Sequence, residues 1–87
     1  MSTYSIEFTN DARRALKRLD KPVQRRVIEA IQALADTPRP SGVKALTSSS
    51  YLRIRVGDWR IVYEVHDGRL VIVVITIGHR GSVYRKI

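Results

Sequence analysis

Between Leu52 and Tyr63 the chain reads LRIRVGDWRIVY, and no other stretch restricts the fold as tightly. Apolar and polar residues alternate on both sides of Gly57-Asp58, the period of a strand with one buried face. Glycine in the first position of a two-residue loop suits a type II′ hairpin turn. With Gly57 and Asp58 as the loop, Val56 faces Trp59, Arg55 faces Arg60, Ile54 faces Ile61 and Leu52 faces Tyr63. That register sends Leu52, Ile54, Val56, Trp59, Ile61 and Tyr63 to one side, toward whatever covers the sheet, and Arg53, Arg55 and Arg60 to the other.

A third strand, Leu70 to Gly78, follows after Asp67-Gly68, a pair suited to a two-residue type I′ loop. It is apolar on both faces and is expected in the sheet interior, with a first strand, Tyr4 to Phe8, covering its other edge. Between lie two helices. Thr9 or Asn10 can cap the first, whose Ala12, Ala15, Leu16 and Leu19 recur at one-turn spacing. Asp20 to Pro22 marks a break and a new start, and the second helix runs to about Ala35 with a stripe of Val23, Val27, Ile28, Ile31 and Leu34. Arg13, Arg14, Arg25 and Arg26 fall outside these stripes and form a solvated face. Thr37 to Ser50, rich in Pro, Gly and Ser, joins the halves. The predicted class is α+β, in the order β-α-α-β-β-β, with a helical hairpin packed on one face of a small, mainly antiparallel sheet.

At 87 residues the chain is expected to form a single domain over 1–87, with room for one core. It contains no cysteine, so that core has no disulfide or thiolate metal site to support it. His66 and His79 are the only candidate ligands for a borderline metal, and no His, Asp or Glu cluster has ligand spacing, so no metal and no cofactor are expected. The opening MSTYSIEFTNDARR has no apolar signal core, and the longest apolar run, Leu70 to Ile77, is far too short for a bilayer. A cytoplasmic chain without a membrane partner is the expectation.

Sixteen Lys and Arg against eight Asp and Glu give a net charge of +8, and twelve of the sixteen are arginine. Arginine's planar fork matches phosphate bidentately, which favours a phosphate-contacting surface; the alternatives are a solvated basic surface or GC-rich coding that favours Arg over Lys, and the charge alone suits an acidic protein partner as well as nucleic acid. The hairpin sharpens this. Arg55 directly opposite Arg60 is a like-charge pair of the kind ladders avoid, and a third arginine on the same face tips the balance from side chains splayed into water toward an anion site. After the last strand, GHRGSVYRKI places Gly78 and Gly81 around His79 and Arg80. A sharp backbone turn there can aim Arg80 back toward Arg60. Tyr84 can offer a stacking surface to an unpaired base, or simply pack at the fold edge.

The stretch YLRIRVGDWRIVYEV, followed by an apolar strand and IGHRGSVY, resembles the RelE toxins of the RelE/ParE superfamily, over nearly the whole chain. The resemblance implies a toxin of a type II toxin–antitoxin system that enters the ribosomal A site and cleaves mRNA. It also implies a cognate antitoxin, RelB-like or other and acidic where it covers the arginines, in an oligomeric complex. The family's basic positions on the first hairpin strand map to Arg53 and Arg55, its GDWRIVY arginine to Arg60, its HR arginine to Arg80 and the tyrosine after it to Tyr84. In the family's best-known member the first two positions are lysines, one of which helps to deprotonate the ribose 2′-OH. Here both are arginine, which stays protonated and is no base.

The mechanism so implied needs no metal: the 2′-OH attacks its own 3′ phosphate, and the protein orients RNA and stabilises charge on phosphorus. Arg60 and Arg80 are assigned to the phosphate, Arg53 and Arg55 to phosphate stabilisation or acidification of the 2′-OH, and Tyr84 to base stacking. His79 is the remaining candidate acid or base, with a structural hydrogen bond at the strand end as its alternative. His66, in the second turn, is a bystander. Two other readings stand beside this one: a ParE-like toxin that poisons DNA gyrase by protein binding without nuclease activity, and an RNA-binding homologue without cleavage.

Overall fold

The computed structural model describes residues 3–79; Arg80 and Tyr84 lie outside the described residues. Strand β1 (Ser5–Phe8) leads into helices α1 (Asn10–Lys17) and α2 (Lys21–Leu34), followed by strands β2 (Lys44–Ala45), β3 (Leu52–Val56), β4 (Trp59–His66) and β5 (Val71–His79). The sheet order is β1-β5-β4-β3-β2. Among the described strands only β1 runs parallel to its neighbour β5, and the other pairs are antiparallel. This is the α+β architecture expected, with β5 interior as its two apolar faces require.

Local chemistry explains the helices. Thr9 caps α1, its hydroxyl accepting from the Ala12 N–H at 3.1 Å, and Asp11 sits in the first turn where the helix dipole favours an acid. Pro22 occupies the first turn of α2, where its missing N–H costs nothing. The Gln24 side chain donates to the Leu16 carbonyl at 2.9 Å and ties the two helices together. Ala12 and Leu19 of the first helical segment and Val27, Ile31 and Leu34 of α2 close over Ile54, Ile61, Tyr63, Ile72, Val74 and Ile77 in one core cluster. Arg13, Arg14, Arg25 and Arg26 are exposed, as their positions outside the apolar stripes require.

The β3–β4 hairpin has the register expected, from Leu52 opposite Tyr63 to Val56 opposite Trp59. Gly57 takes φ +60° and Asp58 does not share the positive angle, which is the backbone of a type II′ turn. The β4–β5 connection differs from the two-residue loop expected at Asp67-Gly68. The strands close at His66 opposite Val71, so the loop is Asp67 to Leu70, held by the Arg69 N–H on the His66 carbonyl and the Leu70 N–H on the Asp67 carbonyl. The residue with positive φ is Leu70 at +53°, not Gly68.

A left-handed backbone costs an L-residue about 1–2 kcal/mol, and Leu70 is exposed and has little burial to offset it. Glycine's extra freedom in the unfolded chain takes back about 0.4–1 kcal/mol. Leu70→Gly is therefore expected to stabilise the fold by about 0.5–1 kcal/mol, seen as a higher denaturant midpoint at constant m. A lower midpoint would show that the Leu70 side chain packs more than its exposure implies.

Strand β5 contains a bulge. Ile61 pairs with Ile77 and Val62 with Thr76, but Tyr63 pairs with Val74, so Ile75 is an extra residue on β5. Its carbonyl is not left idle: the Thr9 hydroxyl that caps α1 also donates to it, and the Thr9 N–H donates to the Val74 carbonyl at 3.0 Å. One residue thus fixes the start of α1 to the irregularity in the strand beneath it.

The segment between α2 and β3 is anchored from below. Fully buried Tyr63 donates from its hydroxyl to the Pro38 carbonyl at 2.6 Å. The next residue, Arg39, grips both carboxylate oxygens of Asp67 at 3.3 and 3.0 Å, and Tyr4 donates to the same carboxylate at 2.7 Å. Arg39, then Tyr4, hold the Asp67 carboxyl below its usual range. The ion pair is exposed and contributes little stability; its consequence is geometric, since it delivers the chain to β2 on the far edge of the sheet.

Candidate phosphate-binding face

Cross-strand partners in a ladder share a face, so the register decides which side chains meet. Ile54 and Ile61 belong to the core, and the residues alternating with them point away from the helices. That outer face carries Arg53, Arg55 and Arg60, with Arg55 and Arg60 directly opposite each other. Arg55 is exposed, whereas Arg53 and Arg60 are half-buried. Beside them on the same face, Val62 and Thr76 are fully buried partners and form a closed floor. Gly78 pairs with Arg60 and places no side chain over it.

Nη1 of Arg60 is buried with no hydrogen-bond partner among the described residues. Leaving a charged donor desolvated and unmatched is costly, whereas a phosphate oxygen is the acceptor such a fork fits best. The outer face also holds acids, at its margins. Glu64 accepts from Ser50 and lies 3.5 Å from Nε2 of His66, two residues along the same strand face. Asp11 accepts from the Thr76 hydroxyl. The floor between these margins is where the arginines gather.

One predicted site residue falls elsewhere than the arginines. His79 pairs with Trp59, on the core side of the sheet, where the two rings meet edge to face with centroids 5.1 Å apart. Its Nε2 is 3.9 Å from the Asp58 carboxylate in the hairpin loop. Among the described residues the arginine face therefore does not include His79. Arg80 and Tyr84 lie outside the described residues.

Lys44 is a cation that the sequence pattern does not reveal. It lies on β2 directly opposite Arg53 and so joins the arginine face. A groove of about 480 Å³ opens here, between the Pro40–Lys44 segment and β3, with Arg53 and Arg55 on its other wall. No apolar periodicity announces a two-residue strand whose residues are both exposed.

Comparison with known proteins gives the family. A family model described as the ParE toxin of a type II toxin–antitoxin system matches residues 6–84. A putative RelE-like toxin protein of Escherichia coli is 29% identical over 79 residues, covering 88% of this chain and 83% of that protein. Toxin RelG of Mycobacterium tuberculosis is 28% identical over 85 residues, covering 95% and 98%. Among solved structures, a chain of the archaeal RelE–RelB complex from Pyrococcus horikoshii superimposes with a TM-score of 0.81 at 29% identity, covering 91% of this chain and 97% of that one. With a family model spanning both the helical layer and the arginine hairpin, the chain belongs to the ParE toxin family of type II toxin–antitoxin systems, in the RelE/ParE superfamily.

Proposed function

We propose that this toxin is an endoribonuclease of the RelE kind, cutting mRNA at the ribosomal A site. The observation that carries the reading is the set of Arg53, Arg55 and Arg60 on one sheet face over the buried Val62–Thr76 floor, with a buried nitrogen on Arg60 that has no hydrogen-bond partner among the described residues. A toxin acting only by protein contact has no need to concentrate like charges there at a cost to the ladder.

In this mechanism the substrate supplies the nucleophile. The ribose 2′-OH attacks the adjacent phosphorus, a 2′,3′-cyclic phosphate forms, and the bond to the 5′ oxygen of the next nucleotide breaks, leaving a 5′-hydroxyl. Arg60 holds the phosphate, and Arg53 and Arg55 stabilise charge as it builds on the phosphoryl oxygens and favour ionisation of the 2′-OH. Arg80 and Tyr84 keep the roles given by the family pattern, phosphate contact and base stacking. His79 is assigned to packing against Trp59. Control falls to a cognate antitoxin with an acidic segment over the arginines.

The match to the ParE toxin model favours a second reading, in which the chain poisons DNA gyrase. Expressing the chain and mapping mRNA 5′ ends on ribosomes separates the two. New ends inside codons are the expected result. Intact mRNA with double-strand DNA breaks would replace the nuclease by the gyrase poison, and neither outcome would leave an RNA-binding homologue without cleavage.

A further inference from the structure

The groove between the Pro40–Lys44 segment and β3 shares Arg53 and Arg55 with the proposed cleavage site, but Lys44 on its other wall belongs to no step described so far. Three of its lining residues, Lys44, Arg53 and Arg55, are cationic, and none of the described residues lining it is acidic. Its outer wall is held in place. The Val43 N–H donates to the Pro40 carbonyl at 3.1 Å, Gly42 turns the chain at φ +88°, and the Leu46 N–H donates to the Tyr51 carbonyl at 3.0 Å. Between these turns Lys44 enters the ladder opposite Arg53. The sheet therefore contains a second like-charge cross-strand pair beside Arg55–Arg60, and the two pairs share one face. One such pair is easily tolerated in water; two in adjoining registers form a track of positive charge running across β2, β3 and β4.

The track has a direction and a step. Neighbouring strands are about 4.8 Å apart and alternate residues along a strand about 6.7 Å, so the Lys44 backbone stands about 8 Å from Arg55 and about 12 Å from Arg60, far enough for its ammonium to take the phosphate next to the one they hold. We infer that this groove is a second phosphate subsite, in which Lys44 binds the phosphodiester next to the one that is cut and sets the register of the RNA on the sheet. Lys44 is a positioning residue here: it contacts a non-reacting phosphate equally in the ground and transition states, so it acts on KM and not on kcat. The inference rests on the ribonuclease reading.

The experiment uses ribosomes programmed with a short synthetic mRNA and measures kcat and KM for the whole chain and for Lys44→Ala, Lys44→Glu and Lys44→Arg. Lys44 is exposed, so the variants are expected to fold; circular dichroism verifies it. Lys44→Ala is expected to raise KM about tenfold with kcat within about twofold, Lys44→Glu to raise it further, and Lys44→Arg to restore it. A second arm replaces each phosphate flanking the cut in turn by a neutral methylphosphonate, with 2′-O-methyl on that nucleotide to keep the linkage intact. At one of the two positions the neutral linkage should raise KM for the wild type about as much as Lys44→Ala does, and add nothing in Lys44→Ala. Equal losses in both proteins at both positions, an unchanged KM in Lys44→Ala, or a fall in kcat alone would each overturn the subsite while leaving the nuclease standing. An unmodified mRNA left uncut by the wild type would instead remove the nuclease reading itself, and the subsite with it.

Discussion

Arg60→Thr is expected to lower mRNA cleavage by about 100- to 1,000-fold, the usual cost of removing one preorganised donor from a developing anion, while the protein unfolds at the same temperature or a higher one. Both halves come from the same geometry. Arg60 faces Arg55 across the ladder and keeps a buried nitrogen without a hydrogen-bond partner among the described residues. Threonine suits the ladder and removes the repulsion, about 0.2–1 kcal/mol. Arg55→Glu goes further, turning the pair into one of opposite charge, and is expected to be at least as stable and equally inactive. Thermal unfolding beside a growth-arrest or cleavage assay reads both quantities. Variants that unfold much more easily would identify the arginines as structural; variants that remain toxic would remove them from the chemistry. A trade of stability for activity of this kind is what functional positions show.

The largest effect on stability is expected at Tyr63. Its side chain is fully buried at the centre of the core, and its hydroxyl is the inner anchor of the segment that carries Lys44. Tyr63→Ala is expected to cost about 3–5 kcal/mol, the range for a lost core aromatic, against a total of about 5–15 kcal/mol for a typical domain. Tyr63→Phe keeps the ring but strands the Pro38 carbonyl, for about 1–3 kcal/mol. The two variants also differ from wild type in alkali. Burial pushes the Tyr63 phenol from its ordinary value near 10 up to about 12, with Arg39 pulling weakly the other way. The folded state therefore holds this proton more tightly than the unfolded one. Its contribution is complete below pH 10 and is lost as the pH rises toward 12. Denaturant midpoints of the wild type should fall across that window more steeply than those of Tyr63→Phe. Parallel falls would place the alkaline sensitivity elsewhere.

The hairpin was legible because its two strands carry a strict alternation and its loop a glycine in the one position that a type II′ turn demands; these signals agree, so they fixed every pair from Leu52–Tyr63 to Val56–Trp59. The second loop misled because Asp-Gly is an equally good signal, yet the burial of Val71, Ile72 and Val74 sets where β5 pairs, and the loop takes up the remainder by bending at Leu70. Tertiary packing outweighed turn chemistry there. Strand β2 left no trace, since Lys44 and Ala45 are too few to show a period, and with β2 went Lys44's place on the cationic face. The side taken by His79 was equally hidden. A run apolar on both faces has no alternation from which to count, and the count along β5 changes at Ile75.

That change of count has an evolutionary consequence. On one side of Ile75 the core is filled by Ile72 and Val74, on the other by Ile77, an even residue and then an odd one. The strand is two half-strands of opposite parity, and the helix cap at Thr9 holds the seam. Deleting Ile75 would make Val74 and Thr76 successive residues, which a regular ladder places on opposite faces, so every residue to His79 would keep its side. Losing Thr76 with the bulge retained would instead swap the sides of Ile77, Gly78 and His79, turning a histidine outward among the cations and a core isoleucine toward the cationic face. A single lost residue is therefore absorbed at the seam, by resolving the bulge, and other length variation comes in steps of two, so the seam is where this strand can shorten without disturbing the cationic face.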